Sequence, residues 1–308
     1  MAGSRPAEPD IVRYYTDVLV EADRLERTPL GRLEGLRTRQ VLTRLLPPAP
    51  ATVLDVGGGP GAYAGWLAAA GHRVHLVDLV PAHAAAARRA HPGVSATVGD
   101  ARRLPLADGC ADVTLLLGPL YHLTGRADRV AALREAARAT RPGGLVVTAT
   151  ISRQAPLMDL TRQGRVDDHT CPALLRTYAT GVNDAGSGFT TAYFHRPHEV
   201  VDEFETAGLP RPDLYGVEGP LWPLLAVAGG PEADGPLFAE VLRCATLFER
   251  DPEVIGASGH LLAAARRGAD RASGMRGGGE HGSEPTGSAV TQVATAVEPD
   301  ADWRRTTG

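Results

Sequence analysis

The chain contains no lysine, and all 32 of its Lys+Arg residues are arginine. This absence excludes a pyridoxal Schiff-base enzyme and a P-loop ATPase, because both chemistries depend on a lysine amine. It also excludes a lysine general base, so any base has to be a histidine, a carboxylate, a tyrosine or a cysteine thiolate.

Cysteine, excess positive charge and long apolar runs are scarce as well. The three cysteines, Cys110, Cys171 and Cys244, are too far apart for a disulfide framework or a metal motif, so we predict no bound metal, reduced thiols and a cytoplasmic location. A formal net charge of −4 disfavours nucleic acid as a partner. No apolar run approaches the roughly 20 residues that cross a membrane, and the N-terminus lacks the apolar core of a signal peptide.

Three regions differ in their sequence pattern. Residues 1–46 carry apolar residues at helical spacing and predict an N-terminal helical cap. Residues 47–267 alternate short apolar runs with helical patterns, which predicts an α/β core with a parallel sheet covered by helices on both faces. A looser stretch at about 153–195 predicts a lid insertion in this core. Residues 268–308 are rich in Gly, Ser, Thr and charge and predict a disordered tail.

A glycine-rich turn follows the first apolar run of the core. Asp55 lies in that run, and Gly57, Gly59 and Gly61 lie in the turn that precedes a predicted helix. Glycines allow a ligand to approach the backbone closely, and the helix N-terminus offers free amides. Asp78 ends the second predicted strand, where a carboxylate can accept hydrogen bonds from ribose hydroxyls. The pattern therefore predicts a site for a nucleoside cofactor.

The D-x-G-x-G-x-G spacing resembles motif I of the class I S-adenosylmethionine-dependent methyltransferases. The segments Val98–Pro105, Ala111–Leu123 and Arg138–Gly144 are similar to three later segments of the same family. The resemblance implies a Rossmann-like sheet of seven strands, with the last strand antiparallel between strands five and six, an N-terminal helical cap and helical insertions.

The resemblance also implies roles for individual residues in holding S-adenosyl-L-methionine. The acid at the Asp55 position helps hold the methionine end, and the acid at the Asp78 position holds the ribose. The acid at the Asp100 position accepts from the adenine amine, and the backbone amide of Ala101 reaches a ring nitrogen. The implied cofactor-binding residues are Asp55, Gly57, Gly59, Gly61, Asp78, Leu79, Asp100, Ala101 and Leu117.

The substrate side has weaker signals. The loop Gly118–Leu123 lacks the Asn/Asp-Pro-Pro-Tyr/Phe run of enzymes that methylate nucleic-acid amines, so we predict a small-molecule substrate. Histidine is the leading candidate for a base, and His122, after strand four, and His195, in an aromatic segment, are the candidates. Candidate substrate contacts are Tyr14, Tyr15, Tyr121 and Tyr193.

The pattern leaves two other functions open. An NAD(P)-dependent oxidoreductase also uses a strand–turn–helix site, although the lysine that partners tyrosine in many reductases is absent. A non-catalytic S-adenosylmethionine-binding regulatory protein would share the cofactor site without transferring a methyl group. The acceptor atom (oxygen, nitrogen, sulfur or carbon) and the oligomeric state also stay open.

Overall fold

A seven-stranded β-sheet forms the centre of the computed structural model, which describes residues 24–184, 190–227 and 235–269. A separate two-stranded sheet pairs β6 with β7. The strands are β1 (Thr52–Val56), β2 (Arg73–Asp78), β3 (Val94–Val98), β4 (Ala111–Leu116), β5 (Thr140–Ile151), β6 (Val182–Asn183), β7 (Ala192–Tyr193), β8 (Asp213–Gly216) and β9 (His260–Arg266). The α-helices are α1 (Arg24–Arg27), α2 (Pro29–Leu45), α3 (Ala62–Ala69), α4 (Pro81–Ala90), α5 (Pro119–His122), α6 (Arg126–Ala139), α7 (Ala155–Arg162), α8 (Cys171–Thr180), α9 (Pro197–Thr206), α10 (Pro223–Val227) and α11 (Pro236–Leu247).

The order of the strands creates a crevice at one edge of the sheet. The order is β3-β2-β1-β4-β5-β9-β8, in which β1 to β5 are parallel and β9 is antiparallel to both of its neighbours. This confirms the predicted α/β class and the antiparallel last strand. The chain order reverses between β1 and β4, so the loops that follow these two strands diverge and leave space for a ligand at the carboxyl edge.

Helices cover both faces of the sheet. Leu67 of α3 packs with the side chains on one face, and Leu133 of α6 packs with those on the other, and both are fully buried. Burying one such leucine stabilises the fold by roughly 1.5–3 kcal/mol. Because both faces are apolar, the strands read as nearly continuous apolar runs in the sequence, as parallel strands usually do.

The described N-terminal residues are helical. Helix α2 begins at Pro29, and the Thr28 side chain caps it by accepting a hydrogen bond from the Gly31 amide at 3.0 Å. Residues 1–23 lie outside the described ranges, so the structure does not bear on Tyr14 or Tyr15.

The structure describes most of the predicted lid insertion but almost none of the predicted tail. Between residues 153 and 195 the chain forms α7, α8 and the β6–β7 pair, in place of a strand of the central sheet. The predicted disordered tail lies outside the described residues from position 270 onward. The three domain boundaries therefore stay predictions. Within the described ranges, no helix is both long enough and apolar enough to cross a membrane.

Strand β5 begins at Thr140, directly after α6 and before the Pro142-Gly143-Gly144 segment. Thr140 Oγ1 donates to the carbonyl oxygen of Ala136 at 2.7 Å, and the pairing with β4 shifts register between Ala111 and Val113. The strand therefore starts irregularly, because the Thr140 side chain ends α6 and the backbone pairs with β4 at once.

Candidate active site

The glycine-rich turn after β1 is packed too closely to carry side chains. Gly57 has a φ of 69°, and a Cβ atom there would lie 2.6 Å from the side chain of Pro119. The Gly57 amide donates to the carbonyl oxygen of Val77 at 2.6 Å, which ties the turn to the end of β2. Gly61 has a φ of 98° and caps α3, where a Cβ atom would lie 3.0 Å from the His91 ring. The turn therefore leaves its backbone open to a ligand on the cavity side.

Asp55 is a fully buried carboxyl group under this turn. Neither of its carboxylate oxygens makes a hydrogen bond of good geometry with any described residue. Burial raises the pKa of Asp55 to about 7, and the nearby Asp78 carboxylate acts in the same direction, whereas the backbone amide of Ala64 acts to lower it. A Cβ atom on Gly58 would lie 2.5 Å from Asp55 Oδ2, so a larger residue at this position would displace the carboxyl group. Asp55 is thus ready to accept hydrogen bonds from a ligand.

Asp78 joins the ends of β1 and β2. Its Oδ2 accepts from the Gly59 amide and its Oδ1 accepts from the Val80 amide, both at 2.8 Å. The Nδ1 atom of His83, in the first turn of α4, lies 3.3 Å from Asp78 Oδ1. The carboxylate therefore helps to fix the glycine-rich turn and also borders the cavity.

Asp100 lies after β3, where its carboxylate is engaged by Arg102. The Arg102 amide donates to Asp100 Oδ1 at 2.8 Å, and its guanidinium is 2.5 Å from Oδ2. The two side chains are each more than a quarter exposed. A ligand amine at Asp100 would therefore share the carboxylate with Arg102.

These residues border one cavity of about 600 Å³ at the carboxyl edge of the sheet. Its wall brings together ten of the residues predicted from the sequence. They are Asp55, Gly57, Gly59, Asp78, Leu79, Asp100, Ala101, Leu117, Tyr121 and His122. Gly61 is not in the wall and serves the packing of α3 against His91.

His122 ends the short helix α5 and is almost completely buried in the cavity wall. Its ring centroid lies 4.6 Å from that of Tyr121. Burial lowers the pKa of His122 to about 4, although the negative charge of Asp78 acts in the opposite direction. The imidazole is therefore neutral at pH 7.

His195 and Tyr193 occupy a different environment from the one that the sequence suggests. Neither is in the wall of this cavity. His195 is fully buried and its Nε2 lies 3.3 Å from Glu203 Oε2, while the Arg129 guanidinium lies 3.6 Å from the Tyr193 ring centroid. Arg129 and Glu203 form a buried ion pair at 2.8 Å. These contacts favour a packing role for His195 and Tyr193, and their catalytic and substrate-binding roles stay predictions from the sequence.

Several cavity residues carry no sequence signal for this role. Tyr63 and Trp66 come from α3, and His83 and His91 from α4 and its end. A helix brings such residues to one face by its own periodicity, and packing residues show the same spacing. Of these residues, only His83 has a signal in the sequence, because it follows the predicted site residue Asp78 by five positions.

Among the described residues, one group of three could offer metal ligands. These are Glu34, Glu218 and His260, whose ligand atoms lie within 4.8 Å of one another. Glu34 pairs with Arg24 at 2.6 Å, and Glu218 Oε1 lies 2.6 Å from His260 Nδ1. A metal would have to displace Arg24, so we interpret the group as a charge-balanced network behind the cavity wall.

Comparisons with known proteins agree with this fold. Residues 54–148 match the family model described as a methyltransferase domain. The chain is 33% identical over 144 residues to a demethylmenaquinone methyltransferase of Beutenbergia cavernae, which covers 46% of this chain and 58% of the relative. It is 32% identical over 152 residues to a ubiquinone/menaquinone biosynthesis C-methyltransferase of Rubrivivax gelatinosus, covering 49% and 59%. The matches thus span less than two thirds of these relatives.

Two solved structures share the fold. An S-adenosylmethionine-dependent methyltransferase from Mesorhizobium loti aligns with a TM-score of 0.52 and 21% identity, covering 76% of this chain and 100% of that one. A geranyl diphosphate C-methyltransferase from Streptomyces coelicolor A3(2) aligns with a TM-score of 0.52 and 18% identity, covering 86% and 100%. The matched residues 54–148 include the strands and turns that form most of the cavity wall. Residues 54–148 therefore resemble a methyltransferase domain, and the chain shares its fold with S-adenosylmethionine-dependent methyltransferases.

Proposed function

We propose that the chain transfers a methyl group from S-adenosyl-L-methionine to a small molecule. The observation that carries this proposal is the buried Asp55 carboxyl group, whose oxygens have no hydrogen-bond partner of good geometry among the described residues. A buried polar group without a partner costs about 1–3 kcal/mol, so the fold retains it at the expense of stability. An ammonium or a bridging water at the methionine end of the cofactor would supply the missing donors.

The rest of the wall suits the other parts of the cofactor. Asp78 offers a carboxylate to the ribose, and Asp100 and Ala101 offer an acceptor and a backbone amide to the adenine. Leu79 and Leu117 supply apolar surface for a flat ring. When bound, S-adenosylmethionine supplies a methyl group on a sulfonium, whose transfer is an in-line displacement.

The side chains of this cavity align the acceptor and exclude water, since a sulfonium is already a good leaving group. Tyr121 and His122 border the space that follows β4. The neutral His122 imidazole can accept a hydrogen bond, or a proton, from an acidic acceptor such as a phenol. A neutral amine or a thiolate acceptor would need no base.

A small molecule is favoured over a nucleic acid. The net charge of −4 opposes binding to phosphate backbones. The relatives and fold neighbours include quinone-pathway and geranyl diphosphate C-methyltransferases, and also a malonyl-[acyl-carrier protein] O-methyltransferase. These names favour neither carbon nor oxygen as the acceptor atom. The cytoplasmic location stays a prediction from the thiols.

The two alternatives fit this cavity less well. In an NAD(P)-dependent oxidoreductase, the Asp55 carboxyl group under the turn would face a dianionic pyrophosphate. A non-catalytic regulator would bind the same cofactor, and only transfer distinguishes it from an enzyme.

Calorimetry with S-adenosylhomocysteine and with NADH tests the cofactor. We expect the wild-type chain to bind S-adenosylhomocysteine and not NADH, and the Asp55→Asn variant to bind S-adenosylhomocysteine more weakly. Tight binding of NADH without S-adenosylhomocysteine would disprove the proposal. Transfer of a labelled methyl group to a metabolite pool, followed by mass spectrometry, then identifies the acceptor, and a complete lack of transfer would favour the regulator.

A further inference from the structure

Arg39 of α2 is an arginine in the cavity wall whose guanidinium makes no hydrogen bond or ion pair with any described residue. The side chain is partly buried, and its Nε atom is buried without an acceptor among these residues. The three other arginines of this helix, Arg32, Arg37 and Arg44, all donate hydrogen bonds to carbonyl or carboxylate oxygens. A buried donor without a partner costs about 1–3 kcal/mol, so Arg39 is retained at the expense of stability.

The other arginine in the described part of the wall is Arg24, and its charge is already balanced. Its guanidinium donates to the two carboxylate oxygens of Glu34 at 2.6 and 2.7 Å. The charge of Arg39 instead acts on the Tyr63 phenol in the same wall, since burial raises the pKa of Tyr63 and Arg39 is among the groups that lower it. Of these two arginines, Arg39 is therefore the one whose charge is available to a ligand.

The carboxylate of the cofactor has a partner elsewhere in the cavity. It is bonded to the same carbon as the ammonium that would bind Asp55. The first amides of α3 follow the glycine-rich turn above Asp55 and are not capped by a side chain. Free amides at a helix N-terminus bind carboxylates. The guanidinium of Arg39 is therefore left for the acceptor.

We propose that Arg39 binds an oxyanion of the methyl acceptor, so that the acceptor is a carboxylic acid or a phosphate ester. This inference rests on the proposed function, which supplies the acceptor. A guanidinium donates two parallel hydrogen bonds to a carboxylate or a phosphate, and such charge-assisted hydrogen bonds are stronger than neutral ones. One molecule can reach both Arg39 and the space that follows β4, because Arg39, Tyr121 and His122 border the same cavity.

Binding of small probes to the complex with S-adenosylhomocysteine tests the anion site without turnover. The probes are benzoate, phenyl phosphate and the neutral benzamide, measured by ligand-observed NMR. We expect at least one of the two anions to bind the wild-type complex about tenfold more tightly than benzamide, and Arg39→Met to remove this difference. The tighter anion distinguishes a carboxylate site from a phosphate site. The matched control is Arg32→Met, on the same helix but outside the cavity wall, where the guanidinium donates to the carbonyl oxygen of Glu26.

Calorimetry and the labelled product separate the acceptor from the cofactor. The affinity of Arg39→Met for S-adenosylhomocysteine should stay within about twofold of the wild type, which also shows that the variant is folded. The product of methyl transfer should carry a carboxylate or a phosphate by mass spectrometry.

Three results would overturn the inference and leave the proposed function intact. They are equal binding of the anions and benzamide to the wild-type complex, a preference for anions that survives in Arg39→Met, and a methylated product without a carboxylate or phosphate. A loss of affinity for S-adenosylhomocysteine of about tenfold in Arg39→Met would overturn it as well, because Arg39 would then hold the cofactor carboxylate. Failure of the wild-type chain to bind S-adenosylhomocysteine would instead overturn the proposed function.

Discussion

Asp55 and Asp78 are two buried carboxyl groups on adjacent strands, and the charge of Asp78 adds to burial in raising the pKa of Asp55 to about 7. Two acids this close are unfavourable in a protein core unless a ligand compensates them. Removing the Asp55 charge should therefore stabilise the ligand-free protein and weaken the binding of the ligand.

Asp55→Asn should stabilise the ligand-free protein at pH 8. The pKa of Asp55 is raised in the folded state, from 3.8 to about 7, so the native carboxyl group favours the fold at low pH and loses this contribution as the pH rises through that window. Removing the charge should increase the free energy of unfolding at pH 8 by on the order of 2–4 kcal/mol, and by less at pH 5. Urea denaturation at both pH values measures it.

Asp112→Asn is the matched control, because the pKa of Asp112 is lowered in the folded state whereas that of Asp55 is raised. The Thr52 amide lowers the pKa of Asp112, burial opposes this, and Arg141 lowers the pKa further. That carboxylate stabilises the fold when charged, so its loss should decrease stability at pH 8. A destabilised Asp55→Asn variant at pH 8 would contradict the prediction.

Asp78→Ala should weaken binding of S-adenosylhomocysteine by roughly 1–3 kcal/mol, because charge-assisted hydrogen bonds to the ligand are lost. The variant also frees the amides of Gly59 and Val80, so circular dichroism should accompany the calorimetry. Asp108→Ala, at a carboxylate that is 80% exposed, should bind normally. An unchanged affinity in Asp78→Ala would show that the ribose is held elsewhere.

His122→Ala should slow turnover more than it weakens cofactor binding, by about a hundredfold or more where the acceptor needs a base. Because burial lowers the pKa of His122 to about 4, its titration should leave the rate unchanged between pH 8 and pH 5.5. His122→Gln keeps a polar group of similar size and separates packing from proton transfer. Initial rates with the identified acceptor decide the matter, and wild-type rates in both variants would remove His122 from the mechanism.

Glu203→Gln should destabilise the fold by about 3–5 kcal/mol, since it leaves the buried Arg129 guanidinium without its carboxylate. Affinity for S-adenosylhomocysteine should be unchanged in the folded fraction, because this pair is not in the cavity wall. Glu205→Gln, at an exposed position of the same helix, should stay within about 0.5 kcal/mol of the wild type. Equal stability of the two variants in urea would contradict the prediction.

His260 should make stability depend on pH above neutrality. Burial lowers the pKa of His260, but the carboxylates of Glu34 and Glu218 raise it to about 9. A histidine whose pKa is raised in the folded state stabilises the protein below pH 6.5 and loses this contribution as the pH approaches 9. We expect His260→Gln to flatten the stability profile between these pH values. A profile identical to that of the wild type would show that the imidazolium does not contribute.

The sequence predicts the glycine-rich turn and the strand-end acids of this cavity well, because they depend on backbone constraints that have a fixed spacing. Some residues can be recognised from their spacing in the sequence. They include a turn that admits only glycine, as at Gly57, and an acid at a strand end, as at Asp78. The residues on the helical side of the cavity have no characteristic spacing. Trp66 has the same spacing whether it packs in a core or borders a ligand.

The differences between the sequence-based expectations and the structure have a similar origin. His195 lies in an aromatic segment that suggests a binding surface, but Glu203 and Arg129 come from two distant helices and bury it. Such long-range ion pairs follow from the packing of the whole fold. In β5, glycine and proline favour a turn locally, while pairing with β4 extends the strand to Thr140.

Arg129 also joins the loop after β4 to the rest of the protein, since its guanidinium donates to the carbonyl oxygens of Leu123 and Thr124 at 2.8 Å each. Efforts to change acceptor selectivity would naturally vary this loop, which carries Tyr121 and His122. Any replacement loop would have to present two carbonyl oxygens to the same guanidinium. Libraries that keep the loop length and the residues Leu123 and Thr124, and vary only the positions before them, should therefore yield more folded variants than libraries that change the loop length.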